Sequence, residues 1–167
     1  MNSGNLVSGQ YQLNDGGESV NYFAYGSNMD SKRMKERGIY FSQRERGFLN
    51  GYSLKFNKQA SANPAEGKAN IMPNKEGLVE GIIFEISQPD LSKLNQFEGY
   101  PDHYMQKMVT VKNGNGTNID CLTYIAKSDK VKDGLLPTKE YINHLLAAKD
   151  ILLEAYYEKL KSLKTLD

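Results

Sequence analysis

Apolar and polar positions alternate at two-residue spacing in several parts of the chain, which is typical of strands with one buried face. The pattern predicts six strands, at residues 20–25, 47–58, 69–72, 78–86, 104–111 and 119–126. Pro73 is expected to end the third strand, and the Asn-Gly pairs after residue 112 favour a hairpin between the last two. Gly51 is expected to form a bulge, and Gly81 a bend or a close backbone contact.

Apolar residues at helical spacing occupy two of the gaps between these strands and the segment after the last strand. A first helix is predicted after residue 27, with Asn28 or Asp30 as its cap. A second begins at the cap residue Ser87, and a third follows Thr138, either unbroken or interrupted near Asp150. The resulting order, β-α-β-β-β-α-β-β-α, predicts an α+β domain with a curved, barrel-like sheet.

Composition places the chain among ordinary globular proteins. Its 167 residues are 39% hydrophobic and 25% charged, which is enough for one domain with a single core. We expect this domain to cover residues 20–167. Residues 1–19 are rich in Gly, Asn and Ser and are expected to be a flexible leader.

Charge and cysteine content exclude several classes of protein. A net charge of +1, from 21 basic and 20 acidic residues, argues against nucleic-acid binding. The single cysteine, Cys121, cannot form an intramolecular disulfide, so we expect a reducing compartment, the cytoplasm. One cysteine and two distant histidines offer no metal site, and no apolar run is long enough to span a membrane.

The segment 21–28 is the first candidate for a binding site. An aromatic strand stops there in Gly26-Ser27-Asn28, and a charged helical pattern follows at once. Small residues let the backbone approach a ligand, and the first N–H groups of a helix favour anions. By itself, the same segment could be only a turn and a helix cap.

Three segments together resemble the γ-glutamylcyclotransferase family over residues 21–163. They are the loop Tyr22-Phe23-Ala24-Tyr25-Gly26-Ser27-Asn28, the pair Glu98-Gly99 within 94–100, and Tyr141 after Leu136-Pro137-Thr138. The strand around Gly81 also resembles the central strand of that family, whose fold the plant avirulence-induced-like proteins share.

The resemblance implies a small mixed, mostly antiparallel β-barrel with flanking helices. It also implies release of 5-oxoproline from a γ-glutamyl compound without a cofactor or metal. Glu98 corresponds to the family's acid/base residue. The substrate-binding residues would be Tyr22, Phe23, Ala24, Tyr25, Gly26, Ser27 and Tyr141. The Ser27-Asn28 ending resembles the branch that acts on γ-glutamyl amino acids or γ-glutamyl-protected metabolites.

This chemistry explains the residue types. The substrate's α-amine attacks its own γ-carbonyl, so one carboxyl can take a proton from the amine and return it to the leaving nitrogen. Burial among aromatic residues should raise the pKa of Glu98 toward neutrality. The N–H groups of Gly26 and Ser27, with the hydroxyl of Tyr141, would bind the α-carboxylate or the developing oxyanion.

Other residues are expected to have no role in the site. Arg33, Lys35 and Arg37 are interpreted as a solvated helix face, His103 as a surface residue, and Cys121 as a buried, inert thiol.

Two alternatives to this enzyme stay open: a non-catalytic binding or regulatory protein on the same fold, and a pathway-specific enzyme that removes γ-glutamyl groups. The expected partner is a small γ-glutamyl compound, with no nucleic acid and no membrane. The aromatic content also suggests self-contact as a homodimer.

Overall fold

A computed structural model describes residues 18–167 and closes their strands into one barrel. The strands are β1 (Ser19–Ala24), β2 (Phe41–Gln59), β3 (Gly67–Ser87), β4 (Tyr104–Asn113) and β5 (Asn118–Ala126). Around the barrel they follow the order β1-β3-β2-β4-β5, and a parallel pairing of Tyr22 with Leu122 joins β1 to β5. The other neighbours are antiparallel, which confirms the predicted α+β class and the mixed, mostly antiparallel barrel.

The long strand β3 differs from the sequence-based prediction. Residues 69–86 belong to this one strand, where two strands and a turn were expected. Pro73 does not end it but pairs with Tyr52 of β2. The register of β2 shifts beside this pair at Gly51, whose φ of +87° confirms the predicted bulge. Bulges are among the places where sheets accept proline, because the ladder is already interrupted there.

Four helices flank the barrel: α1 (Ser31–Glu36), α2 (Gln88–Phe97), α3 (Lys139–Leu146) and α4 (Glu154–Lys161). A 3₁₀ turn, Ser27–Met29, precedes α1. The side chains of Asp30, Ser87 and Thr138 each accept a backbone hydrogen bond at the start of α1, α2 and α3. The apolar stripe predicted after Thr138 forms two helices, α3 and α4, which residues 147–153 separate.

Aromatic and β-branched residues of β1 and β3 form the centre of the core. Phe23, Ile82 and Phe84 are fully buried. Gly81 makes the close contact expected of it, since an added Cβ would lie 2.3 Å from the carbonyl oxygen of Ala24 and 2.8 Å from the Phe23 ring. Cys121 is also fully buried, as expected.

The predicted leader, 1–19, falls almost entirely outside the described residues, which begin at residue 18. Ser19 belongs to β1, so the strand starts one residue earlier than expected. Among residues 18–167, no helix has the length and apolar character needed to cross a membrane.

Candidate active site

A cavity of about 360 Å³ opens where the end of β1 meets α1, α2 and α3. Five tyrosines and four basic side chains line it, together with the carboxyls of Glu66 and Glu98. The tyrosines are Tyr22, Tyr25, Tyr104, Tyr124 and Tyr141, and the basic residues are Arg33, Arg37, Lys58 and Lys68. The cavity is thus aromatic in its walls and cationic in its charge.

Glu98 lies directly after α2 and faces this cavity. Its backbone N–H still bonds to the carbonyl of Leu94 at 2.9 Å, so its position is fixed by the helix. Gly99 then turns the chain with a φ of +65°, a conformation that glycine adopts without strain. The helix end therefore holds Glu98 in place. The residue is half-buried, and its side chain faces the cavity.

Burial raises the pKa of Glu98 to about 7. Arg37 and Arg33 favour the charged carboxylate and act in the opposite direction, as does a hydrogen bond from Asn28. Loss of solvation is the larger effect, because the aromatic walls replace water around the carboxyl. The environment of Glu98 therefore agrees with the expected rise of its pKa toward neutrality.

Asn28 connects three groups of the site. Its Nδ2 donates to the Tyr22 hydroxyl at 3.1 Å and to Glu98 Oε2 at 3.3 Å. Its Oδ1 accepts from Arg37 Nη1 at 2.9 Å. The residue is 3% exposed, so these contacts lie within the protein rather than on its surface. The sequence predicts Asn28 or Asp30 as the cap of the first helix. Asp30 caps α1, and Asn28 bonds instead to Tyr22, Glu98 and Arg37.

The loop after β1 brings its backbone against Tyr141. A Cβ on Gly26 would lie 2.9 Å from the Ala69 side chain and 3.1 Å from the Tyr141 hydroxyl, so only glycine fits there. The Tyr141 hydroxyl accepts from the N–H of Ala69 at 3.1 Å. It also hydrogen-bonds to Ser27, with both the backbone and the side chain of Ser27. The N–H of Ser27 thus serves Tyr141, and Tyr141 is the donor that faces the cavity at this point.

Two other tyrosine hydroxyls are already committed as donors. Tyr25 donates to the carbonyl of Tyr124, and Tyr104 donates to the carbonyl of Ala69 at 2.7 Å. Their rings line the cavity, but their protons hold the barrel together. They therefore shape the cavity, while Tyr22, Tyr141 and Glu98 supply its reactive polar groups.

The structure brings together most of the predicted site residues but not Phe23 and Ala24. Tyr22, Tyr25, Gly26, Ser27, Glu98 and Tyr141 all line the cavity. Phe23 and Ala24 are absent from its lining and are fully buried in the core. The reason is the strand geometry: the Phe23 ring lies against Gly81, inside the barrel. Tyr25 lies beyond the last residue of β1 and is free of the alternation that holds Phe23.

Several residues that line the cavity were not predicted as site residues from the sequence. Arg33 and Arg37 line it instead of forming a solvated face, and His103 and Lys58 line another part of it. The i, i+4 spacing of Arg33, on α1, and Arg37, its C-terminal cap residue, places both on one face of this segment, directly after the candidate loop. That spacing was the available signal for the arginines, whereas nothing local distinguishes Lys58 from the other lysines.

A hydrogen-bonded chain behind the cavity fixes Arg33. Arg33 Nη1 donates to His144 Nε2 at 2.9 Å, and His144 Nδ1 lies 2.8 Å from Asp30 Oδ2. Arginine can only donate, so His144 Nε2 accepts from it. The proton of the His144 ring is therefore on Nδ1, which donates a hydrogen bond to Asp30. The capping residue of α1 and a residue of α3 thus orient a cation of the cavity.

No group of three or more His, Cys, Asp or Glu side chains within residues 18–167 could hold a metal ion. The cavity's carboxyls are Glu66 and Glu98, and Glu66 lies 3.4 Å from Lys68 Nζ.

Known proteins are similar to this chain in fold and in sequence. A family model for gamma-glutamyl cyclotransferase, AIG2-like, matches residues 22–143. A solved structure named gamma-glutamyl cyclotransferase superposes with a TM-score of 0.79 at 26% identity, covering 90% of both chains. YkqA of Bacillus subtilis is 29% identical over 147 residues, and the gamma-glutamylcyclotransferase of Bos taurus is 31% identical over 115 residues.

The matched residues include the loop after β1, Glu98 and Tyr141, which are the groups that the cavity brings together. The protein is therefore a small closed barrel with a tyrosine-lined, cationic site around the carboxyl of Glu98. It belongs to the gamma-glutamyl cyclotransferase, AIG2-like family. The matches cover 85% and 65% of this chain but only 51% of YkqA and 60% of the bovine protein.

Proposed function

We propose that the protein is an enzyme that cyclises the γ-glutamyl group of a small compound to 5-oxoproline and releases the attached amine or amino acid. The observation that carries this proposal is Glu98, a carboxyl held in the cavity with a pKa of about 7. A group with that pKa can both accept and return a proton near neutral pH. We also propose that the protein works in a reducing compartment, the cytoplasm, as expected from its single cysteine, Cys121.

The proposed reaction balances within the substrate. The α-amine nitrogen forms a bond to the γ-carbonyl carbon, and the bond from that carbon to the leaving nitrogen breaks. The α-ammonium loses two protons as it becomes the lactam N–H, and Glu98 passes them in turn to the leaving nitrogen, which departs as an ammonium, so no water is consumed. The favourable geometry of such an intramolecular attack is worth about 7–11 kcal/mol, which leaves the protein mainly to fold the substrate and move the proton.

Two groups of donors suit the charges of this substrate. Arg37 is tied through Asn28 to Glu98, so an α-carboxylate next to the reacting amine would meet Arg37 and Arg33. The Tyr141 hydroxyl would donate to the carbonyl oxygen as it gains negative charge.

The test is a panel of γ-glutamyl compounds with 5-oxoproline measured by mass spectrometry. γ-Glutamylalanine, γ-glutamylethylamine, ε-(γ-glutamyl)lysine and glutathione cover leaving groups of different charge and size. Reactions in ¹⁸O-water separate cyclisation from hydrolysis, because cyclisation places no solvent oxygen in the product. We expect unlabelled 5-oxoproline from at least one compound, and none from its N-acetyl derivative, whose amine is blocked.

The matched control is Glu98→Gln, which keeps the shape of the side chain and removes its proton chemistry. Binding of the panel without turnover by the wild-type protein would contradict the enzyme and favour the non-catalytic alternative. Labelled glutamate in place of 5-oxoproline would instead indicate a hydrolase.

A further inference from the structure

Lys58 is the feature of the cavity that the proposed reaction does not use. It lies near the end of β2, lines the cavity and is only 5% exposed. Its Nζ lies 3.0 Å from His103 Nδ1, and no carboxylate within residues 18–167 forms an ion pair with it. Burial lowers the pKa of Lys58, the charges of Lys130 and Lys68 lower it further, and Glu98, beyond ion-pair distance, raises it. A buried ammonium without a counter-ion in contact is costly, so its retention points to an anion that arrives with a ligand.

A second lysine lies directly opposite. Lys58 pairs with Lys68 across β2 and β3, and both side chains line the same cavity. Like charges at directly opposed positions of a sheet repel each other. Glu66 lies 3.4 Å from Lys68 Nζ and offsets one of the two charges, so the positive charge that remains is that of Lys58.

His103 strengthens this interpretation. A lysine ammonium has donors only, so His103 Nδ1 accepts from Lys58 and carries no proton itself. Burial lowers the pKa of His103, and Lys58 lowers it further, so the histidine stays neutral and adds no competing charge. The ammonium therefore keeps two of its three donors for another partner.

The positions of the cations decide which part of the substrate each would meet. Arg37, directly after α1, is linked to Glu98 through Asn28, so it would serve the half of the substrate that carries the reacting amine. Lys58 and Lys68 come from β2 and β3, on another wall of the cavity. A leaving half that extends from the reacting carbonyl to that wall would meet the two lysines.

We propose that Lys58, oriented by His103 and paired with Lys68, forms a subsite for a carboxylate on the leaving half of the substrate. This inference rests on the proposed cyclisation and names its substrate class. The enzyme prefers γ-glutamyl compounds whose leaving group is an amino acid over those whose leaving group is an uncharged alkylamine.

The test compares γ-glutamylalanine with γ-glutamylethylamine, which differ only in the carboxylate of the leaving group. We expect Lys58→Met to lower kcat/KM for γ-glutamylalanine by about 10- to 100-fold, the usual value of a hydrogen bond to a charged group. The value for γ-glutamylethylamine should change less than about threefold. Lys58→Arg should retain the preference for the alanine compound, and Lys55→Met, on an exposed position of the same strand, is the matched control.

Equal losses for both substrates in Lys58→Met would overturn the subsite, because they would indicate a general catalytic or structural role. An unchanged ratio of the two values would overturn it as well. Absence of 5-oxoproline from both substrates would instead overturn the proposed reaction. Calorimetric binding of the two compounds then decides on the subsite, and equal affinities would reject it.

Discussion

Two carboxyls of this barrel, Glu98 and Glu80, both have a pKa raised by loss of solvation, but their surroundings differ. Glu80 lies on β3, is 4% exposed and accepts from the N–H of Leu153 at 3.1 Å, where the chain crosses between α3 and α4. Glu98 faces a cavity of about 360 Å³ and accepts from the Asn28 side chain.

The difference shows that a raised pKa is insufficient to identify a catalytic carboxyl. Glu80 bonds to the backbone and closes a seam of the fold, so no substrate can reach it. Burial raises the pKa of Glu98 as well, but Glu98 has an open path to a ligand and polar neighbours in the cavity. Access and neighbouring donors, rather than burial, separate the two roles.

The largest expected effect concerns activity. Glu98→Gln should lower the rate of 5-oxoproline release by about 10²–10⁴-fold, the usual contribution of a general acid–base group. Glu80→Gln should leave the rate within about threefold, because its side chain never meets the substrate. Mass-spectrometric rates on γ-glutamylalanine check both variants, with circular dichroism to confirm that each is folded. Comparable losses in the two variants would remove the distinction drawn between the two carboxyls.

The second effect concerns stability and pH. A free glutamate has a pKa of about 4.3, and that of Glu98 is about 7 in the folded protein. Between these two pKa values the folded state therefore holds a proton that the unfolded state has lost. The stability that comes from this protonated carboxyl is fully present below pH 4 and disappears as pH rises through 7. Glu98→Gln should be more stable than the wild type at pH 8, by about 1–3 kcal/mol, and equal to it at pH 4. Urea unfolding at both pH values measures this, and a constant difference would contradict the raised pKa.

A third effect tests the structural role of Glu80. Glu80→Ala should lower the free energy of unfolding by about 1–2 kcal/mol, because the N–H of Leu153 loses its acceptor in a buried place. Glu80→Gln retains an acceptor oxygen and is the matched control. Urea unfolding of both variants is the measurement, and an alanine variant as stable as the glutamine one would mean that water replaces the lost acceptor.

The smallest expected effect comes from Asn28. Asn28→Ala removes a donor that favours the charged carboxylate of Glu98, so the pKa of Glu98 should rise further. The base form is needed to accept the amine proton, so the acid limb of the kcat/KM–pH profile, near pH 7 in the wild type, should move upward. The value of kcat/KM at pH 7 should fall by about tenfold. A lower plateau without a shifted limb would mean that Asn28 positions the substrate but does not tune Glu98.

Much of the fold could be predicted because it depends on local signals. The caps Ser87 and Thr138, the bulge at Gly51 and the hairpin after residue 112 are each decided by a few neighbouring residues. Pro73 misled the prediction, since its meaning depends on whether a bulge lies opposite it on β2.

The sequence by itself determined the two halves of the site: the loop that ends in Gly26-Ser27-Asn28 and the helix end at Glu98. Only the tertiary structure decided which other side chains join them. Periodicity tells which face of an element is buried but not what lies against it, so Phe23 was assigned to the site and Arg37 to solvent. Closure of the barrel turned Phe23 inward and brought Arg37 and Lys58 to the cavity from distant segments. Partial burial there strengthens the interactions of Arg37 and Lys58, because less water surrounds their charges.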